Sequence, residues 1–497
     1  MRPIMAVTIV LMLVPVDIGA QQSGDFEQWF TDATMRIDYY HTGDADEEAF
    51  SLDQVYVQGP WAGSLTNLVD PFDNGKYYIK VRDAGSGELI FTRGFNSYAG
   101  EYQTTDPAAQ GIARTYHESA LIPCPKMPIT FIIEVRQRDN SFQEVFSQEI
   151  DPEAVSVIRE SPAGQVLTIE MMRGGDPHDC VDIAFIAEGY AGHEREKAVA
   201  DLDRLLGSMF DEEPYRSNRE HFNIYGVFSA SDESGVDEPT NSIWRRTAVN
   251  SSFNALGLPR YLLTEDNRAL RDIAANVPYD AIVILVNSDR YGGGGIYNWY
   301  AVSTVDNDLS GHVFLHEFGH SFAGLADEYY TSTVAYNEFY PPGVEPPEPN
   351  ITALLDPVRL KWKHLVDATT PLPTPWEKAE YEGIPAMQRE LRREARAEIT
   401  RLQQVEDSDE AIRKIEEDLA ARMKELSDRM EEILSGTSVR NVVGAYEGAG
   451  YSSSGLYRPL RDCLMFRNAP GKRTLCAVCQ DAVLRMIRFY RGLPQNN

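Results

Sequence analysis

The run His316-Glu317-Phe318-Gly319-His320 sets two imidazoles four residues apart, with a carboxylate beside the first. On a helix, residues i and i+4 share a face one turn apart, so both rings can reach one ion. Paired histidines at that spacing suit zinc. A neighbouring carboxylate can take a proton from a water that zinc has acidified. The pattern therefore supports metal-assisted hydrolysis, with His316 and His320 as ligands and Glu317 as general base. The chain has nine histidines in 497 residues, which makes a chance match uncommon, although a bare match can be an ordinary helix surface.

The residues after His320 strengthen the metal reading. Gly324 can take a positive φ, end the helix and swing the chain back toward the metal. Asp327, three residues on, is then the expected third ligand, with Glu328 beside it as the open alternative. Three protein ligands and one open position is the catalytic arrangement, whereas structural zinc is usually closed by four. His312 lies one helical turn before His316 and is expected to support the helix start; membership of a three-histidine set is its other reading. His178, His193 and His364 are isolated and read as structural or surface residues.

The elements that must position these groups fall into two styles. Met35 to Tyr40, Tyr77 to Arg82 and Thr130 to Arg136 alternate apolar and polar residues, with turn formers such as Asp73-Asn74-Gly75 between such runs. That spacing predicts antiparallel strands with one wet face, hence an N-terminal β-sandwich over 25–155. From about 160 the pattern becomes α/β. Val181 to Ala187, Phe222 to Phe228 and Ala281 to Val286 read as buried strands, and Glu194 to Phe210 as a helix. Gly292 to Gly295 has no Lys-Ser/Thr pair after it, so it reads as a flexible turn and not a phosphate cradle. Tyr300 to Val305 is expected to be an edge strand that pairs with an extended substrate.

One segment is biased. Ile412, Ile415, Leu419, Met423, Leu426, Met430 and Ile433 step by three and four, a heptad seam. Met387, Leu391, Ala395, Ile399 and Leu402 form a looser stripe before it. The expectation is a helical hairpin (coiled coil) over 385–436, inserted in the catalytic domain of 160–497, with a dimer through this segment as the other reading.

Composition sets outer bounds. A net charge of −30 argues against nucleic acid and anionic membrane surfaces as partners. Arg2 precedes an apolar run from Ile4 to Val14, and Ile18-Gly19-Ala20 ends in a small residue. Residues 1–20 thus read as a signal peptide, too short to span a bilayer, and the mature chain as secreted, extracellular or periplasmic, with no membrane span. Five cysteines fit export loosely. Cys476 and Cys479 form a CxxC, with only Cys463 close in sequence and no histidine nearby. A tetrahedral zinc knuckle fits that set poorly, so a disulfide from Cys463 to Cys476 or Cys479 is expected. The acidic stretch Asp232 to Glu238 is read as a solvated loop, with calcium binding as the alternative.

The stretch from His316 through Asp327-Glu328-Tyr329 resembles the active-site signature of the bacterial IgA-peptidase family of zinc metallopeptidases, itself similar to metzincins with their HExxHxxGxxH or HExxHxxGxxD motif. Here three residues, not two, separate His320 from Gly324, while the Gly-x-x-Asp spacing is kept. Asp38 to Gly43, Gln58 to Ser64, Glu447 to Tyr451 and Gly455 to Pro459 are similar to that family too, so the resemblance covers nearly all but the helical insertion. It implies a Met-turn, with Met465 in Cys463-Leu464-Met465 as an apolar floor under the ligands. Many metzincins carry a Tyr two residues after that Met; here the position is Arg467, which leaves Tyr451 and Tyr457 as oxyanion candidates or as structural residues.

The combined expectation is a multidomain α+β protein: a β-sandwich, then a metzincin-like α/β zinc-protease domain with an inserted helical hairpin. Its expected activity is zinc-dependent endopeptidase cleavage of protein or peptide substrates. The rivals are a binding or adhesion protein with a structural or degenerate zinc site, and a zinc exopeptidase or amidase.

Overall fold

The structure, a computed structural model, describes residues 26–159, 166–330, 340–403, 409–436, 442–466 and 474–495. The segment 1–20 and Arg467 lie outside the described residues.

A short helix α1 (Phe26–Trp29) leads into β1 (Phe30–Gly43), β2 (Glu48–Val57), β3 (Tyr77–Asp83) and β4 (Leu89–Phe95). Two short helices, α2 (Tyr98–Tyr102) and α3 (Asp106–Ala109), precede β5 (Arg114–Pro125), β6 (Ile129–Arg136) and β7 (Phe142–Ile150). These strands form two antiparallel sheets, in the orders β2-β1-β5 and β4-β3-β6-β7. Alternation puts Ile37 and Tyr39 of one sheet and Ile79 and Val81 of the other in the same core. Phe50 of the first sheet meets Tyr77 and Phe146 of the second, at ring separations of 6.4 and 6.2 Å.

The second unit is built on a six-stranded sheet. Its strands are β8 (Val166–Met172), β9 (Val181–Glu188), β10 (Phe222–Ser229), β13 (Ala281–Val286), β14 (Gly293–Ile296) and β15 (Tyr300–Thr304), ordered β14-β15-β13-β9-β10-β8. A two-stranded pair, β11 (Ser251–Ser252) and β12 (Leu263–Thr264), sits between β10 and β13 in sequence. The four central strands are parallel, and β8 and β14 run antiparallel to their neighbours. The helices of this unit are α4 (Arg195–Phe210), α5 (Asn267–Ala274) and α6 (Ser310–Ala323), and α9 (Ala477–Tyr490) closes it.

Why the central strands are apolar throughout is visible in the packing. Ala184, Ile186, Ile282, Ile284 and Val302 share the core with the N-terminal sheets, whereas Ile183, Phe185, Val283, Leu285 and Ala301 share one with α4, α6 and α9. Strands buried on both faces have no polar face to alternate. A charged seam also joins the units: Arg36 on β1 reaches Asp272 on α5 at 2.7 Å, and Arg36 and Asp38 pair at 3.0 Å with both side chains fully buried.

Two expectations about this sheet change. The glycine run is not a turn: Gly293 to Ile296 forms β14, the outermost strand on its side. Tyr300 to Thr304 is therefore not an edge strand, because β15 lies between β14 and β13. Strands without side chains give little periodic signal, which hid the true edge.

Downstream, α7 (Lys378–Leu402) and α8 (Asp409–Ser435) lie against each other, with Arg429 paired to Glu380 at 2.7 Å. The α8 seam residues from Ile412 to Met430 are half-buried while most of their neighbours are exposed, and Ile433 and Leu434 are buried in the second unit's core. Two more strands, β16 (Tyr446–Ala449) and β17 (Ser452–Arg458), pair antiparallel. Among the described residues, no helix is long and apolar enough to cross a membrane.

A candidate metal centre on one helix and two turns

Helix α6 carries the two histidines. Its start is fixed by the Ser310 hydroxyl, which accepts the Asn307 N–H at 3.0 Å, and by the Asn307 side chain, which accepts the Leu309 N–H at 3.0 Å. Phe314, Phe318 and Phe322 face the core beneath the sheet. That register turns His316 and His320 to the opposite side, together with Glu317. The helix ends at Gly324, whose φ of 61° is the left-handed turn expected there.

The turn brings Asp327 back. Its Oδ1 lies 3.1 Å from His316 Nε2 and 3.3 Å from His320 Nε2, and the two Nε2 atoms are 3.2 Å apart. Three corners of a tetrahedron around an ion with bonds of about 2.0–2.1 Å would be about 3.3 Å apart. The tautomers agree with that geometry. His316 Nδ1 faces the Leu464 carbonyl at 3.2 Å and His320 Nδ1 faces the Leu325 carbonyl at 2.6 Å. A carbonyl only accepts, so each Nδ1 is the donor and each Nε2 is turned to the shared point, where a bound cation would take the place of a proton. Asp327 Oδ1 is buried and has no hydrogen-bond partner. The residues present thus fit a divalent cation.

The field at this point favours positive charge. Burial alone would raise the Asp327 pKa, but His320 and His316 outweigh it and hold the carboxyl far below the usual range. Burial likewise opposes protonation of His320, yet Asp327 pushes its pKa up to about 9. A Glu317 carboxylate oxygen lies within 4.8 Å of a ring nitrogen of each histidine, and burial raises its pKa above that of an ordinary glutamate.

Met465 lies under this group. It is fully buried, and a Cβ added at Gly319 would come within 3.0 Å of its Sδ. Its carbonyl accepts the Glu328 N–H at 2.9 Å. Tyr451 donates its hydroxyl to Asp327 Oδ2, whereas Tyr457 sits on β17 and pairs through its backbone with Thr352. His312 stacks on His316 with ring centroids 6.4 Å apart.

A model of the family described as IgA Peptidase M64 matches residues 169–487, a span that takes in α6, the Asp327 turn and Met465. The chain belongs to that family. The M64 N-terminal domain matches residues 25–147. No curated protein matches the chain. The M64 chain is accordingly a peptidase of a metallopeptidase family, and its signature stretch coincides with the cluster at His316, Glu317 and His320.

Several features of the M64 chain escaped the sequence. Glu328 does not join Asp327: its carboxylate points away, to Asn350 at 3.1 Å and Cys479 at 3.3 Å. The expected disulfide is not present, since all five cysteines are free and Cys463 and Cys479 sulfurs are 3.8 Å apart. Gly295, in place of lying in a turn, presses β14 onto α6, where a Cβ would fall 2.2 Å from the Glu317 carbonyl oxygen. Arg260 bears electrostatically on Glu317, with no local motif to announce it. Another acid–histidine group, Asp38, Asp53 and His117, lies in the seam between the units, where Arg36 and Arg268 pair with its carboxylates. The acidic loop is occupied as well: Glu233 and Asp237 accept backbone N–H groups of Arg246 and Arg245, and Glu238 pairs with Arg290 at 2.8 Å.

Proposed function

We propose that this M64 peptidase is an exported, zinc-dependent endopeptidase of the metzincin type. The carrying observation is the convergence of His316 Nε2, His320 Nε2 and Asp327 Oδ1 above Met465, with Glu317 alongside. In this reading His316, His320 and Asp327 hold the ion, and Met465 is the apolar floor that keeps the ligand turn in place. Zinc bound there supplies Lewis-acid polarisation of the scissile carbonyl and a water acidified toward neutrality.

Glu317 accepts the proton of the attacking water and hands it to the leaving amine. Its raised pKa suits a group that must act first as base and then as acid. Tyr451 orients Asp327 through its hydroxyl, a positioning role. Substrate lies extended along the outer side of β14 beyond Gly293, whose carbonyl already accepts the Leu262 N–H at 3.2 Å, so its main chain passes beside Glu317. The two antiparallel sheets before residue 155 cover one face of the catalytic sheet and pack against Ile296 of its outermost strand. Export rests on Arg2 and the apolar run after it.

The test combines metal analysis with cleavage. The purified chain should carry zinc, digest casein, and lose that activity in chelator. A peptide blocked at both ends should be cut internally. Products released only from free termini would replace the endopeptidase reading with an exopeptidase one. Full activity after metal removal would end the zinc reading. Secreted material that begins after Ala20 would support export, and a chain retained in the cytoplasm would refute it.

A further inference from the structure

Below the catalytic group lies a second constellation with no place in peptide hydrolysis. Cys463, Cys476, Cys479 and Glu328 each present one ligand atom, all within 4.8 Å of one another, and all four side chains are buried. We propose that they bind a second divalent ion, zinc by the softness of three sulfurs, as a closed structural site.

The spacing fits. Cys463 Sγ and Cys479 Sγ are 3.8 Å apart, and zinc–sulfur bonds of about 2.3 Å give a tetrahedral edge of about 3.8 Å. Cys479 Sγ lies 3.3 Å from Glu328 Oε1. Backbone amides point at the sulfurs: Cys476 N–H donates to Cys463 Sγ at 3.3 Å and Cys479 N–H to Cys476 Sγ at 3.5 Å. Such donors favour thiolates.

The carboxylate supplies an independent argument. Glu328 is 0 % exposed, and its Oε2 has no hydrogen-bond partner. Buried charge needs a counter-charge. The nearby cation Arg458 directs its Nη groups to the carbonyls of Gly448 and Arg461. A disulfide between two of the three cysteines would leave the third thiol and this carboxylate buried without an ion. Four protein ligands leave no open position, which marks a structural and not a catalytic site.

The site also has a mechanical consequence. Glu328 follows Asp327 directly, and its N–H donates to Met465 O. Cys463 stands two residues before Met465. One ion would therefore clamp the turn bearing the third catalytic ligand to the turn beneath it, and to the start of α9 through Cys476 and Cys479.

The test counts metal on the purified full chain, kept reduced. Two zinc ions per chain are expected, falling to one in a His316→Ala/His320→Ala variant. After cobalt substitution that variant should retain a thiolate-to-metal charge-transfer band, a readout independent of activity. Cys463→Ser/Cys479→Ser should lose one ion and the band. Should it fail to fold, Glu328→Gln, expected to weaken retention of only the second ion against chelator, gives the same reading. One ion per chain that disappears with the histidines would overturn the second site and leave the catalytic reading standing. One ion that survives their loss and shows the band would do the reverse. Peptide mapping that finds a disulfide among the three cysteines in the native chain would also overturn it.

Discussion

His316 Nδ1 faces the backbone carbonyl of Leu464 at 3.2 Å, across 148 residues of sequence. One hydrogen bond thus fixes both the ring orientation of a helix residue and the position of the turn that supports it. The same turn receives the Glu328 N–H at Met465, so hydrogen bonds tie the histidine helix and the Asp327 turn to the segment beneath them.

Glu317→Ala should abolish catalysis without dismantling the site. The expected loss is about 10²–10⁴-fold in kcat, the usual contribution of a positioned general base. Zinc content and Tm should stay near those of the parent chain. Retained casein cleavage would remove Glu317 from the base role.

Gly295→Ala should harm activity more than its size suggests. The added Cβ would fall 2.2 Å from the Glu317 carbonyl oxygen, so β14 and α6 must separate. Overpacking of this kind costs about 1–3 kcal/mol, read as a lowered urea midpoint. Because the displaced helix carries His316, Glu317 and His320, kcat/KM should fall further than stability. Parent-like kinetics would mean that β14 does not set the position of α6.

Stability should fall at alkaline pH through His41. Burial would lower its pKa, but Glu118 and Glu48, 3.2 and 3.1 Å from its ring nitrogens, outweigh that and raise it from 6.5 to about 9. A pKa raised on folding stabilises fully below the unfolded value and is lost as pH climbs through the folded one. The loss should therefore run from pH 6.5 to about 9 and amount to roughly 3 kcal/mol at most. Urea midpoints across that range should drop for the parent and stay flatter for His41→Gln. Equal slopes would show that another group titrates.

The α8 seam should not drive dimerisation. Its apolar residues are half-buried, Leu426 and Met430 pack against a core that includes Tyr381 and Ile384 of α7, and Arg429 pairs with Glu380 across the two helices. Sedimentation equilibrium should give a monomer. A dimer that dissociates on Leu419→Lys would show instead that the seam serves a second copy.

The helix and its paired histidines were legible because their information is local. The i, i+4 spacing of His316 and His320 and the glycine stop at Gly324 need only a few consecutive residues to declare themselves. The alternating runs around Ile37, Ile79 and Phe131 announced antiparallel strands for the same reason. The apolar strands β9, β10 and β13 announced burial, but not which partner covers each face; that the N-terminal sheets cover one of them depends on how the two units dock.

Sequence alone therefore determined the paired imidazoles, the neighbouring carboxylate and the turn toward Asp327, since helical period and glycine conformation act over short range. Tertiary structure decided the rest. It turned Glu328 from the His316–His320 cluster to three cysteines, placed Gly293 to Ile296 and not Tyr300 to Thr304 at the sheet edge, and set Leu464 and Met465 beneath α6. Those outcomes depend on groups brought together from more than a hundred residues apart, or on a glycine strand with no side chains to show a period.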